Sequence, residues 1–204
     1  MAISLSKGQK IDLTKGKVGL SNIRVGLGWD QVKKSGGGMF GGIFGGSGGS
    51  GADIDIDASV LMVTKDGKVN GKGNVIYFGN LNSSCGSVHH TGDNRTGAGE
   101  GDDEVIKVEL TRVPENIDKL VFVVNIYNAS SKKQHFGMIE NAFIRVIDER
   151  NGEELIRFNL TDNFEGKKAV FVGEIYRNGS DWKFNAVGEG TGDNSIMEMA
   201  SRYR

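Results

Sequence analysis

Aspartate is disfavoured in β-strands, yet it recurs at every second position in Asp53-Ile54-Asp55-Ile56-Asp57. Alternate side chains of a strand share a face, about 7 Å apart. Three carboxylates therefore project one way while Ile54 and Ile56 project the other. Such a row repels itself unless a cation lies among its members, and hard oxygen donors select Ca²⁺ or Mg²⁺ over softer metals. The Asp-x-Asp-x-Asp spacing matches the opening of an EF-hand loop, but the remainder does not. Ala58 stands where that loop needs glycine and Thr64 where it needs a bidentate glutamate, and the apolar run at 60–63 continues as strand.

A second acidic segment reads Gly92-Asp93-Asn94-Arg95-Thr96-Gly97-Ala98-Gly99-Glu100-Gly101-Asp102-Asp103-Glu104. Five carboxylates and one Asn amide alternate with four glycines, which let a backbone fold tightly so that oxygens converge on one ion. Asp30, after Trp29 at the end of an earlier strand pattern, is a further candidate ligand. Other metal chemistry is less well served. His89 and His90 are adjacent, so in a strand they point to opposite faces, and the third histidine, His135, is remote in sequence. Cys85 is the only cysteine, which excludes internal disulfides and two-Cys metal motifs and leaves at most a redox-sensitive thiol. The Gly-x-Ser-x-Gly spacing occurs only as Gly45-Gly46-Ser47-Gly48-Gly49, inside a glycine-rich run without the flanking apolar strand pattern that a nucleophile elbow needs, and no phosphate-binding Gly-x-x-x-x-Gly-Lys-Ser/Thr loop occurs.

The elements that must position these groups are β-strands. Apolar runs of strand length occupy residues 23–27, 60–63, 75–78, 105–110, 120–127, 143–147, 155–160, 170–176 and 182–187. The 120–127 run is apolar enough to be a central strand buried on both faces. Asp66-Gly67, Asn151-Gly152 and Asn178-Gly179 separate consecutive runs and read as tight turns. The expected fold is all-β, a β-sandwich of two mostly antiparallel sheets with a few short helices. Residues 1–190 form the domain. The tail, 191–204, carries a short helix over 195–203 with Ile196, Met199 and Ala200 on one face. Residues 36–51 are too glycine-rich for regular structure and read as a loop insertion.

The 204 residues carry 25 basic and 26 acidic side chains, a net charge of −1 without a basic stripe, so a nucleic-acid partner is not expected. The N-terminal residues lack an apolar signal segment, and no run approaches a membrane span. The expectation is a cytoplasmic protein without a transmembrane segment.

Several stretches together resemble the TerD family of bacterial tellurium-resistance and general stress proteins. They are Ile3-Ser-Leu-Ser-Lys-Gly8, Val25-Gly-Leu-Gly-Trp-Asp30, Asp53-Ile-Asp-Ile-Asp-Ala58, His90-Thr-Gly-Asp-Asn-Arg-Thr-Gly97 and Gly99-Glu-Gly-Asp-Asp-Glu104, followed by Asn141-Ala-Phe-Ile-Arg-Val146, Gly173-Glu-Ile-Tyr-Arg177 and Trp182-Lys-Phe-Asn-Ala-Val-Gly188. The resemblance implies a β-sandwich binding two Ca²⁺ ions in neighbouring acidic loops. The family's acidic motifs map onto Asp30, Asp53, Asp55, Asp57, Asp93, Asn94, Glu100, Asp102, Asp103 and Glu104. It also implies a non-catalytic role in tellurite, oxidative or phage-type stress, exerted through other stress-response proteins, membrane-associated ones among them. The alternative is a divalent-metal-dependent hydrolase of small phosphate compounds. The chain departs from the family pattern in the insertion at 36–51 and in the tail after Gly190.

Overall fold

The computed structural model describes residues 2–31, 54–92, 101–160 and 162–204. The glycine-rich stretch 36–51 and the candidate ligands Asp53, Asp93, Asn94 and Glu100 lie outside the described residues. Strands β1 (Ile3–Leu5), β2 (Lys10–Asp12), β3 (Asn22–Gln31) and β4 (Ile56–Thr64) come first. Then follow β5 (Val75–Ile76), β6 (Val88–His90), β7 (Glu104–Glu109) and β8 (Ile117–Ile126). The last four are β9 (Ile139–Asp148), β10 (Glu154–Asn159), β11 (Ala169–Asn178) and β12 (Asp181–Thr191). Two short helices, α1 (Ala129–Lys132) and α2 (Ile196–Ala200), complete the set.

The strands form two six-stranded sheets, ordered β1-β10-β9-β3-β7-β6 and β2-β12-β11-β8-β4-β5. Pairing is antiparallel except between β1 and β10. This is the β-sandwich the alternation calls for. Ile23, Val25, Leu27 and Trp29 of the first sheet meet Ile56, Ala58, Val60, Met62, Leu120, Phe122 and Val124 of the second in one apolar core. At about 25 cal/mol per Å² of apolar surface removed from water, this interior is the main favourable term of folding. The Asn178-Gly179 turn closes β11 onto β12 with Gly179 at φ 67°, where a Cβ would be strained.

The 120–127 run forms most of β8, buried on both faces as its composition requires. Its even-numbered residues face the other sheet, while Val121 and Val123 turn outward to join Leu61, Val63, Ala169 and Phe171. That outer apolar patch is covered by Ile196, Met199 and Ala200 of α2. Ser195 caps the helix, its side chain accepting the Glu198 N–H. Strands β1, β2 and β6 are three residues each and carry too little alternation to be read from sequence. The 75–78 run yields only a two-residue strand, which pairs with β4 at Val60 and Leu61. β5 does not reach the β4 edge at residues 56–59, and side chains bond that edge instead.

Candidate metal centre

β3 leaves the core at Trp29, and β4 enters it at Ile56 close by. The 101–104 segment runs between them, so acidic groups from three distant parts of the sequence reach one end of the sandwich. The β3–β7 ladder ends at the Leu27–Glu104 pair. Asp103 extends it, its N–H donating to Leu27 O at 2.8 Å and its Oδ2 accepting the Trp29 N–H at 2.8 Å. The Asp103 carboxyl is held above its ordinary pKa, first by burial and then, against the Trp29 N–H, by the negative charges of Asp30, Asp102 and Glu104.

Asp102 lies over the outer face of the first sheet. Its Oδ1 accepts from Arg145 Nε at 2.6 Å, and Arg145 also bonds Glu154 Oε2 at 3.1 Å. The hydrogen bond to Asp102, more than any other influence, raises the Arg145 guanidinium above its usual pKa. Gly26 permits this approach: a Cβ there would sit 2.1 Å from Asp102 Cγ. Gly28 does the same for Gly101, whose carbonyl oxygen would be 2.8 Å from a Cβ. Asp30, exposed on the same outer face, accepts from Asn141 Nδ2 at 2.8 Å.

Glu104 turns the other way, into the space between the sheets, with 2% of its surface exposed. Its Oε2 accepts the Ala58 N–H at 2.7 Å, and His90 Nε2 is 3.2 Å from both Glu104 Oε2 and Ala58 O. His90 is completely buried, and its Nδ1 accepts the Gly92 N–H at 3.1 Å, which places the ring proton on Nε2. Burial opposes protonation of His90, but the hydrogen bond and charge of Glu104 outweigh it and raise the pKa. Glu104 and His90 thus bond the β4 edge that β5 does not reach, and they hold Gly92 and residue 104, the two ends of the second acidic segment.

Asp55 and Asp57 face neither Glu104 nor Asp102. Their neighbours Ile54, Ile56 and Ala58 point into the core, so these carboxylates lie on the outer side of the second sheet. Asp57 is beside Asn125 of β8, and Asp55 O accepts the Tyr127 N–H at 2.8 Å. The fold therefore divides the described acidic residues. Asp30, Asp102 and Asp103 gather at the first sheet, Asp55 and Asp57 at the second, and Glu104 stands between. Among the described residues no three His, Cys, Asp or Glu side chains form a metal-binding group. The donors are all oxygen, the chemistry a hard cation requires.

Arg145 and His90 are structural partners of this region that lie within the family-like stretches 141–146 and 90–97 but are not among the acidic ligand candidates. Arg145 sits in an ordinary alternating strand, and nothing in the sequence ties it to Asp102. Adjacency places His89 and His90 on opposite faces, but the contact of His90 with Ala58 depends on sheet packing. His89 faces outward, bonded to Asn82 Oδ1 at 2.7 Å, so the two histidines diverge as strand geometry requires. Cys85 is partly buried between Ser83 and Ser87; burial opposes its thiolate, but hydrogen bonds from both hydroxyls lower its pKa overall. No helix among the described residues is long and apolar enough to cross a membrane.

Comparison with known proteins agrees with this architecture. The TerD domain matches residues 1–203. Stress response protein SCP2 of Bacillus subtilis is 61% identical over 203 residues, covering all of both chains. Tellurium resistance protein TerD of Serratia marcescens is 43% identical over 190 residues, 93% of this chain and 91% of that one. Among solved structures, a homologue of telluride resistance protein (TerD), SCO6318 from Streptomyces coelicolor, superposes with a TM-score of 0.63 at 23% identity, covering 89% of this chain and 98% of that one. The chain belongs to the TerD family, whose named members are stress-response and tellurium-resistance proteins.

Proposed function

We propose that this chain is a Ca²⁺-binding stress-response module of the cytoplasm, without catalytic activity of its own, that acts on protein partners. The observation that supports it is the placement of carboxylates at one end of the sandwich, those of Asp30, Asp102 and Asp103 at the first sheet and those of Asp55 and Asp57 at the second. Mutual repulsion among like charges opposes the compact state, and a bound cation would offset it alongside Arg145 and His90. The division into two groups favours two ions. Asp30 and Asp103 would serve one with Asp93, Asn94 and Glu100, and Asp53, Asp55 and Asp57 the other. Asp102 and Glu104 would orient the loop through Arg145, His90 and Ala58. Bound Ca²⁺ would supply the charge that relieves this repulsion. The protein's own contribution is to hold the donors on strand ends and present the ordered acidic segments as a surface for a partner.

Calorimetric titration of chelator-stripped protein with Ca²⁺ and Mg²⁺ tests this. Two Ca²⁺ per chain and weaker Mg²⁺ binding are expected. At 100 times its Kd, each site adds about 2.7 kcal/mol of stability. Identical melting temperatures in chelator and in excess Ca²⁺ would overturn the metal reading. Phosphate release from small phosphate esters with Ca²⁺, Mg²⁺ or Mn²⁺ would overturn the non-catalytic one.

A further inference from the structure

The outer face of the second sheet changes character along β4 and β8. Under α2 it is apolar, at Leu61, Val63, Val121 and Val123. Further along the same strands and the same face it presents Ser59, Asp57 and Asn125, which help to line a pocket of about 190 Å³ with Phe78, Tyr127 and Asn194. Ser59 is 1% and Asn125 5% exposed, yet among the described residues Ser59 Oγ and Asn125 Oδ1 have no hydrogen-bond partner. A buried polar atom in that condition costs about 1–3 kcal/mol, and native folds seldom retain one without a use.

The lining specifies what is missing. An amide oxygen only accepts and a hydroxyl does either, so the occupant must donate hydrogen bonds. The Asp57 carboxylate in the same wall favours a donor with positive charge. At the mouth, Phe78 and Tyr127 stand edge to face with centroids 6.1 Å apart and are 42% and 44% exposed. Aromatic faces attract organic cations, and the Lys132 ammonium already lies 5.8 Å from the Tyr127 ring centroid. A Ca²⁺ ion wants six to eight oxygens and gains nothing from aromatic rings. Side-chain oxygens of Asp57, Ser59, Asn125 and Asn194 beside a pair of rings suit an alkylammonium group, whose N–H groups meet the oxygens and whose carbons meet the rings.

We propose that this pocket binds a protonated primary amine, presented either by a free small molecule or by a lysine side chain of a partner. The proposal goes beyond the Ca²⁺ reading; Asp57 is shared with the second ion proposed above, so the assay is run in chelator, where amine binding stands or fails without Ca²⁺. The probes are putrescine, N-acetyl-lysine methylamide and neutral butanol, titrated into the full chain by calorimetry and by amide NMR. Saturable binding of either amine, with shifts at Ser59 and Asn125 and none with butanol, is expected. Tighter binding of putrescine points to a free amine, and tighter binding of the lysine amide to a partner's side chain. Asn125→Asp adds a charge to the floor and should tighten amine binding about tenfold. Phe78→Ala removes a half-exposed ring without touching the core and should weaken it about threefold to tenfold. Failure of both amines to saturate overturns the proposal. So does equal binding of butanol, or unchanged affinity in both variants when their melting curves show them folded.

Discussion

Replacing Glu104 with alanine isolates the contact that joins the two sheets at the acidic end. In the native fold Glu104 Oε2 accepts the Ala58 N–H and faces His90 Nε2, and both partners are fully buried. Truncation strands two polar groups at once. Each buried group left unsatisfied costs about 1–3 kcal/mol, and removing one member of a buried ion pair costs about 3–5 kcal/mol. A loss of about 3–5 kcal/mol is therefore expected, a large part of the roughly 5–15 kcal/mol that holds a typical domain together. For a chain of this size each kcal/mol moves Tm by about 2–4 °C, so a fall on the order of 10 °C is expected. Glu104→Gln can keep its amide oxygen where Oε2 now meets both the Ala58 N–H and His90 Nε2, losing the charge but not the acceptor, and should cost less, about 1–3 kcal/mol. Urea unfolding in chelator, so that no ion contributes, gives the free energies, and a cycle with His90→Ala gives the coupling, expected at about 0.5–3 kcal/mol. A Glu104→Ala loss below about 1 kcal/mol in chelator would refute the reasoning. So would a loss seen only when Ca²⁺ is present, which would make Glu104 a ligand and not a clip.

Met199 is completely buried where α2 covers the second sheet; Met199→Ala should cost about 2–5 kcal/mol in urea unfolding. Gly26→Ala would drive a methyl into Asp102; a loss of about 1–3 kcal/mol is expected from overpacking, with the Arg145–Asp102 pair displaced in a crystal structure of the variant. Asp148 is held below the usual carboxylate range, chiefly by hydrogen bonds from Arg150 that reach 2.6 Å. A depressed folded-state pKa adds stability that is complete above about pH 4 and fades as pH falls through the folded value. Arg150→Ala should therefore destabilise most at neutral pH and converge on the parent in acid, as urea unfolding from pH 7 to pH 3 would show.

The strands were legible where residues alternate over a long run or form a long apolar stretch. Residues 23–27 and 120–127 are examples, and their depth in the fold follows from composition alone. β1, β2 and β6 were not legible, because three residues carry no periodicity and gain their register from β10, β12 and β7. The acidic motifs were evident as motifs, and strand periodicity placed Asp55 and Asp57 on one face. Periodicity could not show that Glu104 points between the sheets while Asp102 points away from them. That distinction comes from how β3 and β7 pair and from the glycines at 26 and 28 that let the loop lie close. The role of His90 needs contact between residues 32 positions apart, at Ala58, on different sheets. The polar pocket beside α2 is tertiary in the same way.

The bonds that Glu104 and His90 make to the main chain of Ala58 also fix how β4 is threaded. A strand shifted by one position exchanges its two faces. Here that error would carry Asp55 and Asp57 into the apolar interior and expel Ile56 and Ala58. A two-residue neighbour such as β5 offers little resistance to such sliding. Polar groups reaching across from the opposite sheet grip the two peptide units that flank the Ala58 Cα and, with the long β4–β8 pairing, reject the misaligned register, so the direction in which the aspartates point is held from inside the sandwich as well.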